Sequence, residues 1–253
     1  MAIIVFQHSE STGPGRLGMT LRELGFKLDI RRPDLPTSHP ANRLASGQSV
    51  IPADYDNVHG VIAMGGPQNI GEPHPWLEAE AAYIRGAHQR EIPVIGICLG
   101  AQLIAHALGG KVSPLPDNAY EVGILPVSLN PAGQTETIFA GIPWEHPQFH
   151  HHGFHVEQLP PGAMLLASSK RTKVQAFKVG VRTYGFQYHP ECDRGMIDAI
   201  LKGEESCCTR GQTTMSDVLA QTDAQYAAYA RASDRLCVNL ATYLFPLNRK
   251  LTA

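Results

Sequence analysis

Val94-Ile95-Gly96-Ile97-Cys98-Leu99-Gly100-Ala101-Gln102 joins an apolar strand to a helix through a single cysteine. Ile92–Ile97 is a short apolar run led by Pro93, which suits a buried central strand. Leu99–Leu108 reads as a helix closed by Gly109-Gly110. Between them lies Gly-x-Cys-x-Gly, the thiol counterpart of the Gly-x-Ser-x-Gly strand–turn–helix motif. Glycines on both sides permit a tight, strained turn with close packing, so the side chain at the apex projects outward. A thiol there also meets a helix N-terminus, whose partial positive charge favours an anion. An arbitrary free cysteine is more often an inert core residue. The paired glycines and the strand-to-helix setting make Cys98 a candidate nucleophile instead.

Outward from this turn, apolar strands alternate with helical stretches. Ala2–Phe6 is a strand, followed by a loop at 7–15, a helix near Arg16–Leu24 and a second strand, Phe26–Arg31. Residues 32–57 are rich in Pro, Ser and Asn and read as a long surface loop. Val58–Ala63 is a third strand, and Pro75–Gln89 a helix with proline in the favoured first position. Such alternation predicts an α/β fold with a parallel sheet covered on both faces. From Val112 to Tyr188 the strands shorten: Gly123–Leu129, His146–His152, Met164–Ser168, Val174–Lys178 and Val181–Tyr188. They are expected to form a partly antiparallel extension, the last strand returning beside the first sheet. Residues 204–212 read as a polar linker. Met215, Val218, Leu219, Tyr226, Tyr229, Leu236, Leu240 and Tyr243 form an apolar stripe on one or two helices ended by Pro246. Packing back on the sheet domain is the default for this tail, with a dimer seam or a docking surface as alternatives.

A nucleophilic thiol needs a base, and the base needs a group to orient it. Among twelve histidines, His189 stands out. It ends the aromatic run Tyr184-Gly185-Phe186-Gln187-Tyr188 and precedes Pro190, which holds its predecessor extended. In an extended segment residues two apart share a face. Glu191 therefore sits beside His189, where its carboxylate can fix the imidazole tautomer.

The Gly96–Gln102 turn, the Gly185-Phe186-Gln187-Tyr188-His189-Pro190-Glu191 segment and Met64-Gly65-Gly66-Pro67-Gln68 together resemble the class I (triad) glutamine amidotransferases. The resemblance covers roughly residues 1–203. It is strongest to stand-alone proteins like the glutaminase domain of GMP synthase, with Tyr120–Val127 and Val174–Phe177 adding to it. It implies a flavodoxin-like three-layer sandwich over 1–203, with a linker and C-terminal helical extension at 204–253. It also implies a Cys98-His189-Glu191 triad that hydrolyses an amide through a γ-glutamyl thioester and releases ammonia. The oxyanion formed on attack needs pre-placed N–H donors, and the resemblance puts these on Gly66 and Leu99. Gln102 and the backbone around His151, Gly153 and Phe154 match substrate contacts. The plain alternatives are an ordinary loop at Gly65-Gly66-Pro67 and a solvent-facing Gln102. The sequence departs from the pattern at His151, where relatives often carry Ser or Asn.

His150-His151-His152 invites a metal reading, but no nearby cysteine or acidic cluster completes a ligand set, so no metal or other cofactor is expected. His146 and His155 read as surface residues. His8 and Glu10 could line the entrance to the site or belong to a solvated loop. A net charge of −2 and the lack of any Lys/Arg cluster give no field for nucleic acid. No apolar run approaches membrane-spanning length, and Ala2–Phe6 begins without a charged leader. Five cysteines in no pattern (98, 192, 207, 208 and 237) suit a reducing cytoplasm, with a redox or metal role for the adjacent pair unexpected.

The expected substrate is L-glutamine or another γ-glutamyl amide. No Gly-x-x-x-x-Gly-Lys or Ser-Gly-Gly-x-Asp-Ser loop is present, so either a separate synthase takes the ammonia or the protein acts alone on a γ-glutamyl amide bond. Hydrolysis of γ-glutamyl amines or peptides, and a catalytically quiet binding or regulatory role, are the other readings. A homo-oligomer stays open.

Overall fold

The computed structural model describes residues 1–42, 44 and 48–245. Its eleven strands are β1 (Ala2–Phe6), β2 (Leu28–Arg31), β3 (Val58–Ala63), β4 (Val94–Ile97), β5 (Lys111–Pro114), β6 (Glu121–Leu129), β7 (Glu145–His152), β8 (Phe154–Gln158), β9 (Ala163–Ser168), β10 (Ala176–Val179) and β11 (Thr183–Phe186). The helices are α1 (Gly15–Glu23), α2 (Leu77–Gln89), α3 (Leu99–Ala107), α4 (Pro131–Thr135), α5 (Arg194–Leu201), α6 (Glu205–Arg210) and α7 (Met215–Asn239), the last running into a π-helical turn at Leu240–Leu244. Nine strands form one sheet in the order β2-β1-β3-β4-β11-β10-β9-β6-β7. The first five are parallel, the flavodoxin-like arrangement. The rest join antiparallel. β11 returns beside β4 as expected, with Gly185 opposite Gly96 and Phe186 opposite Ile97.

Strand alternation builds two cores. Ile3, Val5, Ile62, Ile95 and Ile97 face one side, where Leu17 and Leu21 of α1 and Leu236 of α7 cover them. Ile4, Phe6, Val61, Ala63 and Val94 face the other, under Leu77, Ala81 and Ile84 of α2 and Leu103 and Ile104 of α3. Each fully buried Leu or Ile contributes about 1.5–3 kcal/mol by leaving water, so both layers are needed to hold the parallel strands in register.

Several boundaries differ from the sequence reading. The second strand starts at Leu28, because Phe26 N–H bonds to Leu21 O and closes α1 first. The fourth starts at Val94 and β11 covers only Thr183–Phe186. Helix α2 begins at Leu77, and Pro75 lies in the turn that leads into it. The two-stranded sheet β5–β8 was not anticipated; each strand is only four or five residues long. Residues 205–210 are helical, with Cys207 and Cys208 buried, where a linker was expected. The tail packs on α1, β6 and β7. Val218, Tyr229, Leu236 and Leu240 of the expected stripe are buried, but Leu219 and Tyr243 face outward. Pro246 lies outside the described residues. Among the described residues no helix is long and apolar enough to cross a membrane.

Among the described glycines, Gly100 has the least room for a side chain. A Cβ added there would lie 1.9 Å from the carbonyl oxygen of Ala63, a backbone atom that cannot swing away. Gly100→Ala should therefore destabilise the protein by about 2 kcal/mol, lowering Tm by about 4–8 °C in calorimetry. Gly195→Ala, whose Cβ meets nothing nearer than 3.4 Å, should leave Tm unchanged or slightly raised.

Candidate active site

Cys98 occupies the turn between β4 and α3 with φ 51° and ψ −108°, a conformation costly for a residue bearing a Cβ. What holds it there is the packing on either side. A Cβ on Gly96 would come within 2.4 Å of Gly100 O, and Gly100 itself presses on β3. The Cys98 N–H bonds to Phe186 O at 2.7 Å, tying the turn to β11. Helix α3 leaves directly from this point, so the N–H of Leu99 falls among those without an intrahelical acceptor.

β11 ends next to the same turn and delivers His189. A Cβ on Gly65 would lie 2.9 Å from His189 Cε1 and 3.5 Å from Cys98 Cβ, so imidazole and thiol meet across this glycine. On its far side, His189 Nδ1 is 2.9 Å from Glu191 Oε1. Both side chains are buried. Burial alone would depress the His189 pKa; the Glu191 carboxylate, with Cys98 alongside, outweighs it and holds the imidazole well above its usual range. The adjacent backbone is fixed as well: His189 N–H donates to Phe149 O at 2.8 Å, and the Tyr229 hydroxyl bridges His189 O at 2.8 Å and Cys192 O at 2.7 Å.

The loop after β3 carries Gly66 to the same place. The Thr12 hydroxyl donates to Gly65 O at 2.8 Å. In a trans peptide the following N–H points opposite to that carbonyl, so this bond sets the direction of the Gly66 N–H. Below it lies His8, fully buried, with Nδ1 3.0 Å from Met64 O and Nε2 2.9 Å from Glu80 Oε2, stacked on Trp76. Burial pulls the His8 pKa down, but Glu80 more than offsets this and the net shift is upward. His8 is thus neither an entrance residue nor solvated; Glu10 is exposed and lies outside the cavity lining.

A cavity of about 340 Å³ opens at these loops, within the range that holds small ligands. Cys98, His189, Gly66 and Leu99 line it, as do Gln102, His151, Gly153 and Phe154. Glu191 stands behind His189 rather than in the lining. Gln102 is buried, not solvent-facing: its amide nitrogen donates to Phe154 O at 3.1 Å and Gln187 Oε1 at 3.2 Å. It thereby braces the start of β8. The tail closes another part of the wall, with Glu204, Cys207 and Arg210. Arg210 holds α6 there by donating to Asn118 O at 2.8 Å and Asn118 Oδ1 at 2.7 Å, and lies over the Tyr120 ring.

The histidine-rich strand is better furnished with acids than its sequence suggested. Glu121 of β6 lies beneath it, buried, with Oε2 3.1 Å from His152 Nε2 and 3.8 Å from His150 Nδ1. Ser169 and Gln175 donate to its two oxygens at 2.6 and 2.7 Å. Burial would raise the Glu121 pKa, yet the His152 contact and its neighbours hold it well below the carboxylate range. With both oxygens engaged and His152 Nδ1 3.0 Å from Phe154 O, this cluster shapes the turn at Gly153. His151 meets Glu204 and Cys207 instead, so the reason given for discounting a metal fails at both places. His146 is buried, contrary to expectation, and burial takes its pKa down to about 4. His155 is half-buried.

Thr12, Tyr229, Gln187, Glu121 and Glu80 were not singled out as site residues from sequence, and His8 was considered only for the entrance. Their partners lie about 30 or more positions away along the chain, and apart from Gln187, which stands inside the His189 segment, local pattern carries no sign of them.

Thiol, histidine and carboxylate thus gather at the carboxyl end of a flavodoxin-like sheet. The sequence profile of the family "Glutamine amidotransferase class-I" matches residues 16–201, and the chain belongs to that family. GMP synthase (glutamine-hydrolyzing) of Thermomicrobium roseum is 35% identical over 144 residues, covering 56% of this chain and 25% of its own. The enzyme of the same name from Pyrobaculum aerophilum is 32% identical over 172 residues, 68% of this chain and 29% of its own. The chain therefore spans about a quarter of the length of these curated relatives. A solved structure of a glutamine amidotransferase from Methylobacillus flagellatus superposes with a TM-score of 0.80 at 26% identity, over 94% of this chain and 93% of that one.

Glu191→Gln removes the charge that offsets burial at His189. In the parent, the stabilisation from the charged pair is complete below the unfolded value of about 6.5 and fades as pH rises through the higher folded value. In the variant the ring should titrate below about 6.5 and that stabilisation should disappear. NMR titration of the His189 Cε1–H and melting curves across pH check this; an unmoved titration would show that another group holds the proton.

Proposed function

We propose that residues 1–203 form a glutamine amidotransferase domain, with 204–253 an extension packed on it, and that Cys98, His189 and Glu191 act as its triad. The observation that carries this reading is the Cys98–His189–Glu191 alignment, set in a cavity between the Gly66 loop and the Leu99 helix start. The Cys98 thiolate attacks the side-chain carbonyl carbon of glutamine. The oxyanion receives hydrogen bonds from the Gly66 and Leu99 N–H groups, placed before the charge develops. Thr12 acts as a positioning residue for the first of these donors. As the C–N bond breaks, the His189 imidazolium protonates the departing amine to ammonia, leaving a γ-glutamyl thioester. His189, now neutral and held in its tautomer by Glu191, takes a proton from water. Hydroxide adds to the thioester carbon, and glutamate leaves as the Cys98 thiolate is restored. The backbone at His151, Gly153 and Phe154, with Gln102 behind it, receives the amino and carboxylate end of the substrate. No cofactor takes part. Ammonia is passed on to a synthase that this chain does not contain.

A second reading keeps the chemistry and changes the leaving group to the amine of a γ-glutamyl amide. It is favoured by the cavity's continuation to Ile200, Glu204 and Arg210, which leaves space beyond a simple –NH₂.

Cys98→Ala should lower ammonia release by at least about three orders of magnitude with an unchanged melting curve; comparable release would sink the assignment. A glutamine analogue bearing an electrophile should label Cys98 alone. Burial pushes the Cys192 thiol up to about 12 and the Cys207 thiol up to about 11, and keeps both unreactive. Offered a panel of glutamine and γ-glutamyl amides, the enzyme should prefer glutamine, with kcat/KM falling as the amine substituent grows. The reverse order would establish the second reading.

A further inference from the structure

Where β7 faces the start of α6, three side chains turn ligand atoms toward one another. A His151 ring nitrogen, a Glu204 carboxylate oxygen and Cys207 Sγ all lie within 4.8 Å of one another. Nε2 is 3.9 Å from Glu204 Oε2, and the Cys207 thiol donates to that oxygen at 3.0 Å. Ligands at about 2.0–2.3 Å from a tetrahedral zinc ion stand roughly 3.3–3.8 Å apart, so small rotations would bring these atoms to bonding distance. His151 Nε2 is shielded from water and has no hydrogen-bond partner. The other ring nitrogen, Nδ1, lies 3.2 Å from the Tyr120 hydroxyl. When Nδ1–H donates to Tyr120, the Nε2 lone pair is left free on the side of Glu204. That is the tautomer a metal-bound imidazole needs, fixed by an outer partner. One sulfur, one nitrogen and one oxygen are too soft a set for magnesium or calcium and suit zinc. At Glu121, by contrast, both carboxylate oxygens already accept from Ser169 and Gln175.

We propose that His151, Glu204 and Cys207 form a zinc-binding site on the wall of the cavity that holds Cys98. On binding, the Cys207 S–H bond gives up its proton to solvent, a sulfur–zinc bond forms, and no electron is transferred. Three protein ligands leave a fourth position open toward the cavity. The ion would join α6 to β7 and occupy space on the approach to Cys98. Closure of the cavity to an amide substrate would follow, and this consequence alone rests on the reaction proposed above.

Cobalt(II), a coloured substitute for zinc, tests the site in the full-length Cys98→Ala chain, which removes the other thiol of the cavity and makes the readout independent of turnover. Titration should give one equivalent of cobalt with a sulfur-to-cobalt charge-transfer band and intense tetrahedral visible absorption, both displaced by one equivalent of zinc. Adding Cys207→Ser should abolish the charge-transfer band while circular dichroism shows an intact fold. If that variant does not fold, Glu204→Gln replaces it and should weaken cobalt affinity at least about tenfold. No charge-transfer band in Cys98→Ala, its persistence with Cys207→Ser, or an unchanged affinity with Glu204→Gln would each overturn the site.

Discussion

Helix α3 can start where it does only because two backbones touch. Gly100 brings α3 against the Ala63 carbonyl of β3, and Gly96 lets the strand pass under the same helix turn. With both contacts made, the residue between strand and helix has nowhere to relax and is held at positive φ. The cost of that conformation, of order 1–3 kcal/mol, is met by the two cores on either face of the sheet. The same contacts place the start of α3 beside the loop after β3. A thiol, a set of unpaired helix N–H groups and the Gly66 loop are thus brought together by one packing constraint.

The loops around this point are fixed by buried polar groups rather than by apolar contacts. His8 and Glu80 form a pair shut off from water beneath the Met64–Gly66 loop. Glu121 gathers His152, Ser169 and Gln175 beneath the turn at Gly153. Such groups are expensive to bury singly and are tolerated because their partners satisfy them. Their value here is directional: a hydrogen bond to a loop carbonyl orients the next N–H, which apolar packing cannot do.

The C-terminal extension belongs to the same machinery. Tyr229 of α7 reaches past its apolar stripe to hold the carbonyls of His189 and Cys192, and Phe245 packs so tightly on Gly60 that a Cβ there would fall 2.2 Å from its ring. Helix α6 supplies one wall of the cavity. The family match stops at residue 201, and the segment that follows packs against the same site.

Much of the site was legible in the chain itself. The Gly96–Gly100 turn, the extended His189-Pro190-Glu191 segment and the apolar alternation of the parallel strands are local patterns, and local backbone preference with side-chain periodicity is what a sequence displays directly. Cys98, His189 and Glu191 could therefore be picked out as a group before their positions were known, and the central strands found to within two residues or so. Thr12 against Gly65, Tyr229 against His189, Glu121 beneath His152, and Cys207 with Glu204 beside His151 were not legible. Each pairs residues about 30 to 55 positions apart with no repeating pattern between them, and whether two such groups meet depends on strand order and helix packing. Local pattern along the chain names the residues able to do chemistry, whereas which of them face one another follows from strand order and helix packing, because these contacts are made across the sheet and not along the chain.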